Sequence, residues 1–286
     1  MMARSKFWTA QIANRDEYLE FLNFMGDEFG RHAEIEQAAI EGKQPFSIEG
    51  HCGVCDKPSK FAVTFEHAGD RDVPNWREHL NCQWCTLNNR MRASVQLASK
   101  LLGERTNPNI YVTEQITPLF RFFEKIYPSI IGSEFLNDAT LLGQSNDMGV
   151  RFEDLTRLTF DSDSFDAVFS FDVLEHIPNY RAAIAEVYRC LRPEGIFLWS
   201  APFDYGFPEK TAVRATVSDD GTIVHHLPAE FHGDPLTDGV LCYQHFGLDI
   251  LDDMRSVGFK SANMHLYWSR NLAYLGGLQY AVVGIK

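Results

Sequence analysis

From Asn109 onward, short apolar runs alternate with segments of helical periodicity, and this alternation constrains the fold more than any other feature of the chain. Strands separated by helices pair in parallel, with the helices covering the sheet. The pattern predicts strands at Ile110–Thr113, Ile130–Ser133, Val150–Phe152, Phe165–Phe171 and Ile196–Ser200, and two late strands near Lys260–Tyr267 and Leu278–Ile285. Helices are expected at Pro118–Tyr127, with Thr117 as N-cap, at Tyr180–Leu191, stopped by Pro193 and Gly195, and at Asp249–Ser256, ended by Gly258. Between Ala201 and Gly247 runs a segment rich in His, Pro, Gly and Asp, long enough to read as a functional insert.

The first hundred residues have a different texture. Tyr18, Phe21, Leu22, Met25 and Phe29 recur at helical spacing and predict a helix over Asn14–Gly30, continuing toward Ile40 and closed by Gly42 and Pro45. Phe46–Asp72 reads as a small β-ribbon with a strand at Phe61–Phe65, and Leu87–Leu102 as a helix whose Arg90, Arg92 and Lys100 form a solvated or interdomain face, or one that contacts phosphate. Gly103–Asn109 is the natural boundary. The expected division is therefore 1–45 helical, 46–105 ribbon and connecting helix, and 106–286 sheet domain, in keeping with a length of 286 residues.

Four of the six cysteines form two Cys-x-x-Cys pairs, Cys52/Cys55 and Cys82/Cys85, with 26 residues between the pairs. Four thiolates are the tetrahedral set that Zn²⁺ takes in closed structural sites, so a structural zinc is expected, with His51, His67 and His79 as nearby substitutes. Free thiols in a small core, or a redox pair, are the other readings. The formal charge is −13. That balance repels phosphate backbones, weighs against nucleic acid as partner and suits a cationic ligand. No stretch approaches the length of a membrane span, and the residues from Met1 to Ile12 hold no apolar core of a signal peptide, so a cytoplasmic protein is expected. The oligomeric state is not legible.

The run Asp154–Tyr180, with Ser164-Phe165-Asp166-Ala167-Val168-Phe169-Ser170 and Leu174-Glu175-His176-Ile177-Pro178, and then Leu191-Arg192-Pro193-Glu194-Gly195, resembles the class I S-adenosylmethionine-dependent methyltransferases of the type 11 family. The likeness extends over Asn109–Lys286 and is strongest at 150–200; a zinc ribbon ahead of such a domain more loosely resembles methyltransferases of glycan and natural-product gene clusters. It implies a Rossmann-like seven-stranded sheet whose last hairpin is antiparallel. It also implies S-adenosylmethionine as cofactor. Glu134, at a strand tip, would accept the ribose hydroxyls. Asp154 would accept from the adenine amino group, Leu155 would pack on the ring, and Phe171 and Asp172 would lie beside the sulfonium and the amino-acid tail.

One stretch departs from the family. The loop after the first strand normally carries glycines that let the backbone approach the cofactor. Here it reads Glu114-Gln115-Ile116-Thr117, with Glu114 in place of the usual acid. Thr117 and Pro118 still start a helix whose free N–H groups suit a carboxylate. A shifted cofactor pose, a different ligand, or a fold without catalysis all remain open. If the cofactor binds, the protein mainly aligns the nucleophile and removes its proton. His176 is the candidate base, with capping or core packing as the plainer reading. His225, His226, Glu230 and His232 in the insert are suited to binding a substrate or, less readily, a metal; Tyr205, Phe207, Phe231, Tyr243 and Phe246 are suited to stacking on it or to plain packing. The expected function is methylation of a small-molecule or glycan-type (sugar- or lipid-linked) substrate at oxygen or nitrogen. The alternatives are a non-catalytic binding protein on a degenerate methyltransferase fold, and a nucleic-acid methyltransferase or binder guided by the zinc module.

Overall fold

The computed structural model describes residues 10–40, 42–66, 68, 72–203, 206–233 and 236–286; His67 and Tyr205 lie outside the described residues. The chain opens with β1 (Ala10–Ile12) and α1 (Arg15–Met25), which buries Tyr18, Phe21 and Met25. The single helix expected here is broken. Gly26 takes φ +44, a conformation open to glycine at little cost, and its amide still bonds Leu22 O at 3.1 Å. A separate helix, α2 (Glu28–Ala38), starts after it. An antiparallel ribbon follows, β2 (Phe46–Cys52), β3 (Lys57–Val63) and β4 (Asn81–Cys82), with Ile48, Phe61, Val63, Trp76 and Leu80 in its core.

Asn88 caps α3 (Asn89–Leu102), its side chain accepting from Met91 N at 3.0 Å. The face expected to be solvated holds Lys100 exposed but turns Arg92 inward, fully buried. Its guanidinium lies 4.3 Å from the Phe61 ring and 4.6 Å from Tyr274. It donates to the carbonyls of Leu272 at 2.8 Å and Ala273 at 2.7 Å. Arg90 is held by Glu78 at 2.8 Å. A planar cation with several donors can be buried when rings and carbonyls take the place of water, and periodicity cannot anticipate that.

The sheet region begins with β5 (Ile110–Val112), then α4 (Pro118–Ile126) and β6 (Ile131–Gly132). Thr117 caps α4 as expected, accepting from Phe120 N at 3.1 Å. Next come β7 (Phe165–Phe171), α5 (Tyr180–Cys190) and β8 (Leu191–Ser200). Among its described residues the insert holds six short strands, β9 (Ala212–Val213), β10 (Ala215–Val217), β11 (Ile223–His225), β12 (Phe231–His232), β13 (Val240–Leu241) and β14 (Gln244–His245). They pair as β9 with β14, β10 with β11 and β12 with β13. The chain closes with α6 (Ile250–Val257), β15 (Ser261–Ser269) and β16 (Tyr274–Ile285).

The main sheet has seven strands in the order β1-β15-β16-β8-β7-β5-β6. Strands β6, β5, β7 and β8 run parallel, and β16 is antiparallel to β8. Residues 167–171 of β7 are all buried, as a parallel strand covered on both faces must be. Strand order reverses between β5 and β7, so the ligand crevice of this sheet type lies at their carboxyl ends. Val150–Phe152, expected as a strand, forms only two isolated bridges, Phe152 to Glu134 and Arg151 to Ser145. That segment folds back on itself instead, with Phe152 N bonded to Gln144 O and Gly143 N to Phe152 O, both at 2.8 Å.

The chain divides into two compact units, one of residues 10–12, 16–104 and 264–281, the other of 13–15, 105–263 and 282–286. Among the described residues no helix is long and apolar enough to cross a membrane. His265 on β15 is 4% exposed. Burial, helped by Lys100, pushes its pKa down to about 4. The unfolded chain binds a proton there near pH 6.5 and the folded chain does not, so this group lowers stability as pH falls from about 6.5 to 4. His265→Gln is expected to remove up to about 3 kcal/mol of that acid sensitivity in urea titrations at pH 7 and 4.5; equal slopes in both proteins would refute the assignment.

Candidate active site and metal centre

At the carboxyl end of β5 the backbone turns through Thr113 and Glu114, both buried. Thr113 Oγ1 donates to Ser170 Oγ on β7 at 2.9 Å, fixing the two strand ends together. The next two amides, of Gln115 and Ile116, both donate to Glu134 Oε1, at 2.7 and 3.0 Å. Gln115 sends its carboxamide to Gly149 O at 2.9 Å and accepts from Arg151 N at 2.8 Å. The tight glycine contact near this loop lies on the neighbouring strand and serves packing of the loop and α4. A Cβ on Gly132 of β6 would meet Phe120 Cε2 at 2.5 Å and Glu114 O at 2.8 Å. Sequence reasoning looked for glycine in the loop itself and missed Gly132.

Asp172 follows β7 with φ +57, a conformation that side chains seldom adopt and that tends to persist where the surroundings demand it. Its amide bonds Ser200 O at 2.8 Å and its Oδ1 accepts from Ser200 Oγ at 3.1 Å. Phe171 is buried, its ring 6.3 Å from that of Phe123 in a stacked arrangement on the α4 side of the sheet. Leu155 is buried at 8% exposure. Asp154 closes its own turn: Oδ1 accepts from Thr156 N at 2.9 Å and Oγ1 at 2.7 Å, and Oδ2 meets Arg157 Nε at 3.0 Å. A cleft of about 410 Å³ lined by Asn109, Ile110, Phe160 and Phe165 sits at the amino ends of the strands, away from this crevice.

Two of the insert candidates, Glu230 and His232, converge with His176. His176 Nδ1 bonds Leu241 O at 2.9 Å. The rings of His176 and His232 meet edge to face at 5.0 Å. His232 Nε2 and His245 Nε2 both bond Glu230 Oε1 at 3.0 Å, while Arg214 holds Glu230 Oε2 at 3.0 Å. Burial alone would raise the Glu230 carboxyl; the bonds from the two histidines hold it below its ordinary value. The Glu175 carboxylate, 3.8 Å from Nδ1, raises His232 to about 9, against burial and with help from Glu230. His226 is not part of this group, being exposed and bonded to Thr216 Oγ1 at 3.0 Å, and His225 is exposed on β11. Phe246 is fully buried and Phe207 nearly so, whereas Phe231 is 64% exposed beside His232. Glu175, Arg214 and His245 escaped sequence reasoning because each is ordinary in its local setting.

The four cysteines come together as their spacing predicts. Cys52 Sγ lies 3.9 Å from Cys85 Sγ and Cys55 Sγ 4.0 Å from Cys82 Sγ. Thiolates around one tetrahedral ion with bonds of about 2.3 Å stand about 3.8 Å apart, so the cluster fits a single closed metal site. The residue after each knuckle, Asp56 or Thr86, takes a positive φ, +52 or +63, and Trp84 N donates to Cys82 Sγ at 3.4 Å. Donation from Cys85 holds the Cys52 thiol down to about 4, and burial pushes Cys55 up to about 11. His51 bonds Asp56 and His79 bonds Glu66 O, so neither joins the cluster.

Residues 113–199 match the family described as Methyltransferase domain. Together with the sheet order, that match defines a class I fold of the S-adenosylmethionine-dependent methyltransferases. Among solved structures, the chain is similar to an S-adenosylmethionine-dependent methyltransferase from Mesorhizobium loti, 18% identical with a TM-score of 0.44, over 68% of this chain and 98% of that one. It is also similar to the 1,6-didemethyltoxoflavin-N1-methyltransferase of Burkholderia thailandensis, solved with 1,6-didemethyltoxoflavin and S-adenosylhomocysteine, 19% identical with a TM-score of 0.43, over 68% of this chain and 77% of that one. No curated protein matches the sequence.

Removing the Glu134 carboxylate strands two loop amides. Glu134→Ala is expected to cost about 3 kcal/mol or more and to speed hydrogen exchange at the amides of Gln115 and Ile116; unchanged protection there would show that the carboxylate does not hold the loop.

Proposed function

We propose that the protein transfers a methyl group from S-adenosylmethionine to oxygen or nitrogen of a small-molecule or sugar- or lipid-linked acceptor. The observation that carries this reading is Glu134, a carboxylate fixed by two backbone amides at a strand tip beside the point where strand order reverses. A carboxylate so placed suits a ribose diol, and the acids at the neighbouring tips, Glu114 and Asp172, suit the cationic end of the cofactor. When bound, the cofactor supplies an electrophilic methyl on a sulfonium. The chain's own residues orient it and manage the acceptor's proton. A ring nitrogen bonded to a carbonyl carries the proton, so His176 keeps a basic Nε2 suited to that task.

Calorimetry with S-adenosylmethionine and S-adenosylhomocysteine tests this. Both are expected to bind, and Glu134→Gln to weaken both by about 10- to 150-fold, the loss of hydrogen bonds to a charged group. A second reading, ligand binding on this fold without methyl transfer, is favoured by the loop that lacks glycine and closes on Glu134. No heat with either nucleoside at millimolar concentration would favour it. With Arg92 buried and Arg90 paired to Glu78, Lys100 is what is left of the basic face on which a nucleic-acid reading drew.

We also propose that Cys52, Cys55, Cys82 and Cys85 hold a structural zinc. The reading is supported by the sulfur spacing and by the amide that donates to Cys82 Sγ. Metal analysis is expected to find one zinc in this cluster, and Cys82→Ser or a strong chelator to unfold the ribbon, since the energy of metal binding is folding energy here. A stable, metal-free protein with four reduced thiols would refute it.

A further inference from the structure

Glu175 follows β7 in a short 3-10 turn, Leu174–His176, and is 1% exposed. Neither of its carboxylate oxygens has a hydrogen-bond partner. A buried carboxylate left in that state is costly unless a cation completes it. The nearest ring nitrogens are His176 Nε2, 3.7 Å from Oε1, and His232 Nδ1, 3.8 Å from Oε1. These gaps are too long for hydrogen bonds. They are close to the spacing of ligands around a shared ion, about 3.0–3.4 Å for bonds near 2.1 Å. The three ligand atoms all lie within 4.8 Å of one another.

The outer ring nitrogens strengthen the case. His176 Nδ1 is anchored on Leu241 O, and His232 Nε2 on Glu230 Oε1, which His245 and Arg214 hold in turn. Metal-ligating histidines carry this arrangement as a rule, because a bond to the far nitrogen fixes the tautomer and aims the near one. The second grouping, Glu230 with Cys242 and His245, lacks this logic: Glu230 is already satisfied by three partners, and Cys242 Sγ bonds Gln244 O at 3.3 Å.

We propose that Glu175, His176 and His232 bind a divalent first-row transition ion. Two imidazoles and a carboxylate leave coordination positions open. Where the methyltransferase reading also holds, those positions would take an oxygen-bearing acceptor, and the ion rather than His176 would make its hydroxyl acidic. Ion binding itself does not depend on that reading.

The test uses protein holding one zinc per chain, which the four thiolates take first, and Mn²⁺ as probe, because Mn²⁺ prefers oxygen and nitrogen donors and competes poorly for the cysteine cluster. Electron paramagnetic resonance is expected to show one Mn²⁺ bound per chain in the absence of any nucleoside. His232→Ala and Glu175→Gln are each expected to weaken it by tenfold or more. In the unsubstituted protein, Mn²⁺ should broaden the ring protons of His176 and His232, a readout that survives should a variant fail to fold. No bound Mn²⁺, no broadening, or equal binding in folded variants would overturn the proposal. S-adenosylmethionine calorimetry is read separately, so either assignment can fail alone.

Discussion

One carboxylate oxygen organises the carboxyl end of the sheet. Glu134 Oε1 takes the amides of Gln115 and Ile116 at 2.7 and 3.0 Å, and hydrogen bonds of this charged kind contribute about 1.5–3 kcal/mol each. The loop they secure has no glycine. It is drawn in because Gly132, on the neighbouring strand, leaves room for Glu114 O and the Phe120 ring. Gln115 completes the closure by reaching Gly149 O and Arg151 N, which ties the segment that failed to become a strand to the loop.

Much of this architecture was legible in sequence because its signals are local. The apolar run of β7, the Thr117-Pro118 start of α4 and the Asn179-capped α5 each carry their own instructions within a few residues. Where the outcome depended on a distant partner, the reading failed. Arg92 sits on a helix whose periodicity gives no notice of Phe61 or Tyr274, and only tertiary packing supplies the carbonyls that bury it. The edge strand β1 is three residues long and is defined by pairing with β15. The same division holds at the sites. Cys-x-x-Cys is a local pattern and its four sulfurs converge as spacing implies. Glu175 and His232 meet only because the β12–β13 ribbon folds back, with Leu241 O and Glu230 anchoring the two rings.

Both clusters solve one electrostatic problem in different ways. Thiols packed within 4 Å cannot all ionise without a cation, and the buried Arg92 supplies part of the balance, helping to lower Cys52. The carboxylate of Glu175 has no arginine; its counter-charge comes from imidazoles, which accept a proton or donate a lone pair to a metal. The first arrangement is closed by its fourth sulfur and suits a structural role. The second has three ligands, and that incompleteness is what makes it suited to chemistry.

Under the proposed function, the acids at the strand tips would bear on turnover as well as on binding. A sulfonium cofactor is positively charged, whereas the thioether left after methyl transfer is neutral. A carboxylate about 4 Å from the sulfur, at an effective dielectric near 20, favours the charged form by about 4 kcal/mol before its solvation is counted. Under the proposed function, Glu114 and Asp172 would therefore hold the reactive cofactor more tightly than the spent one. The cost is that the same carboxylates stabilise the ground-state cation whose charge the reaction disperses. A neighbouring group that makes the acceptor anionic offsets this, because the attacking oxygen then brings the charge that the sulfonium loses. Under the same reading, that requirement would fall on the segment immediately after Asp172, where Glu175 and His176 stand.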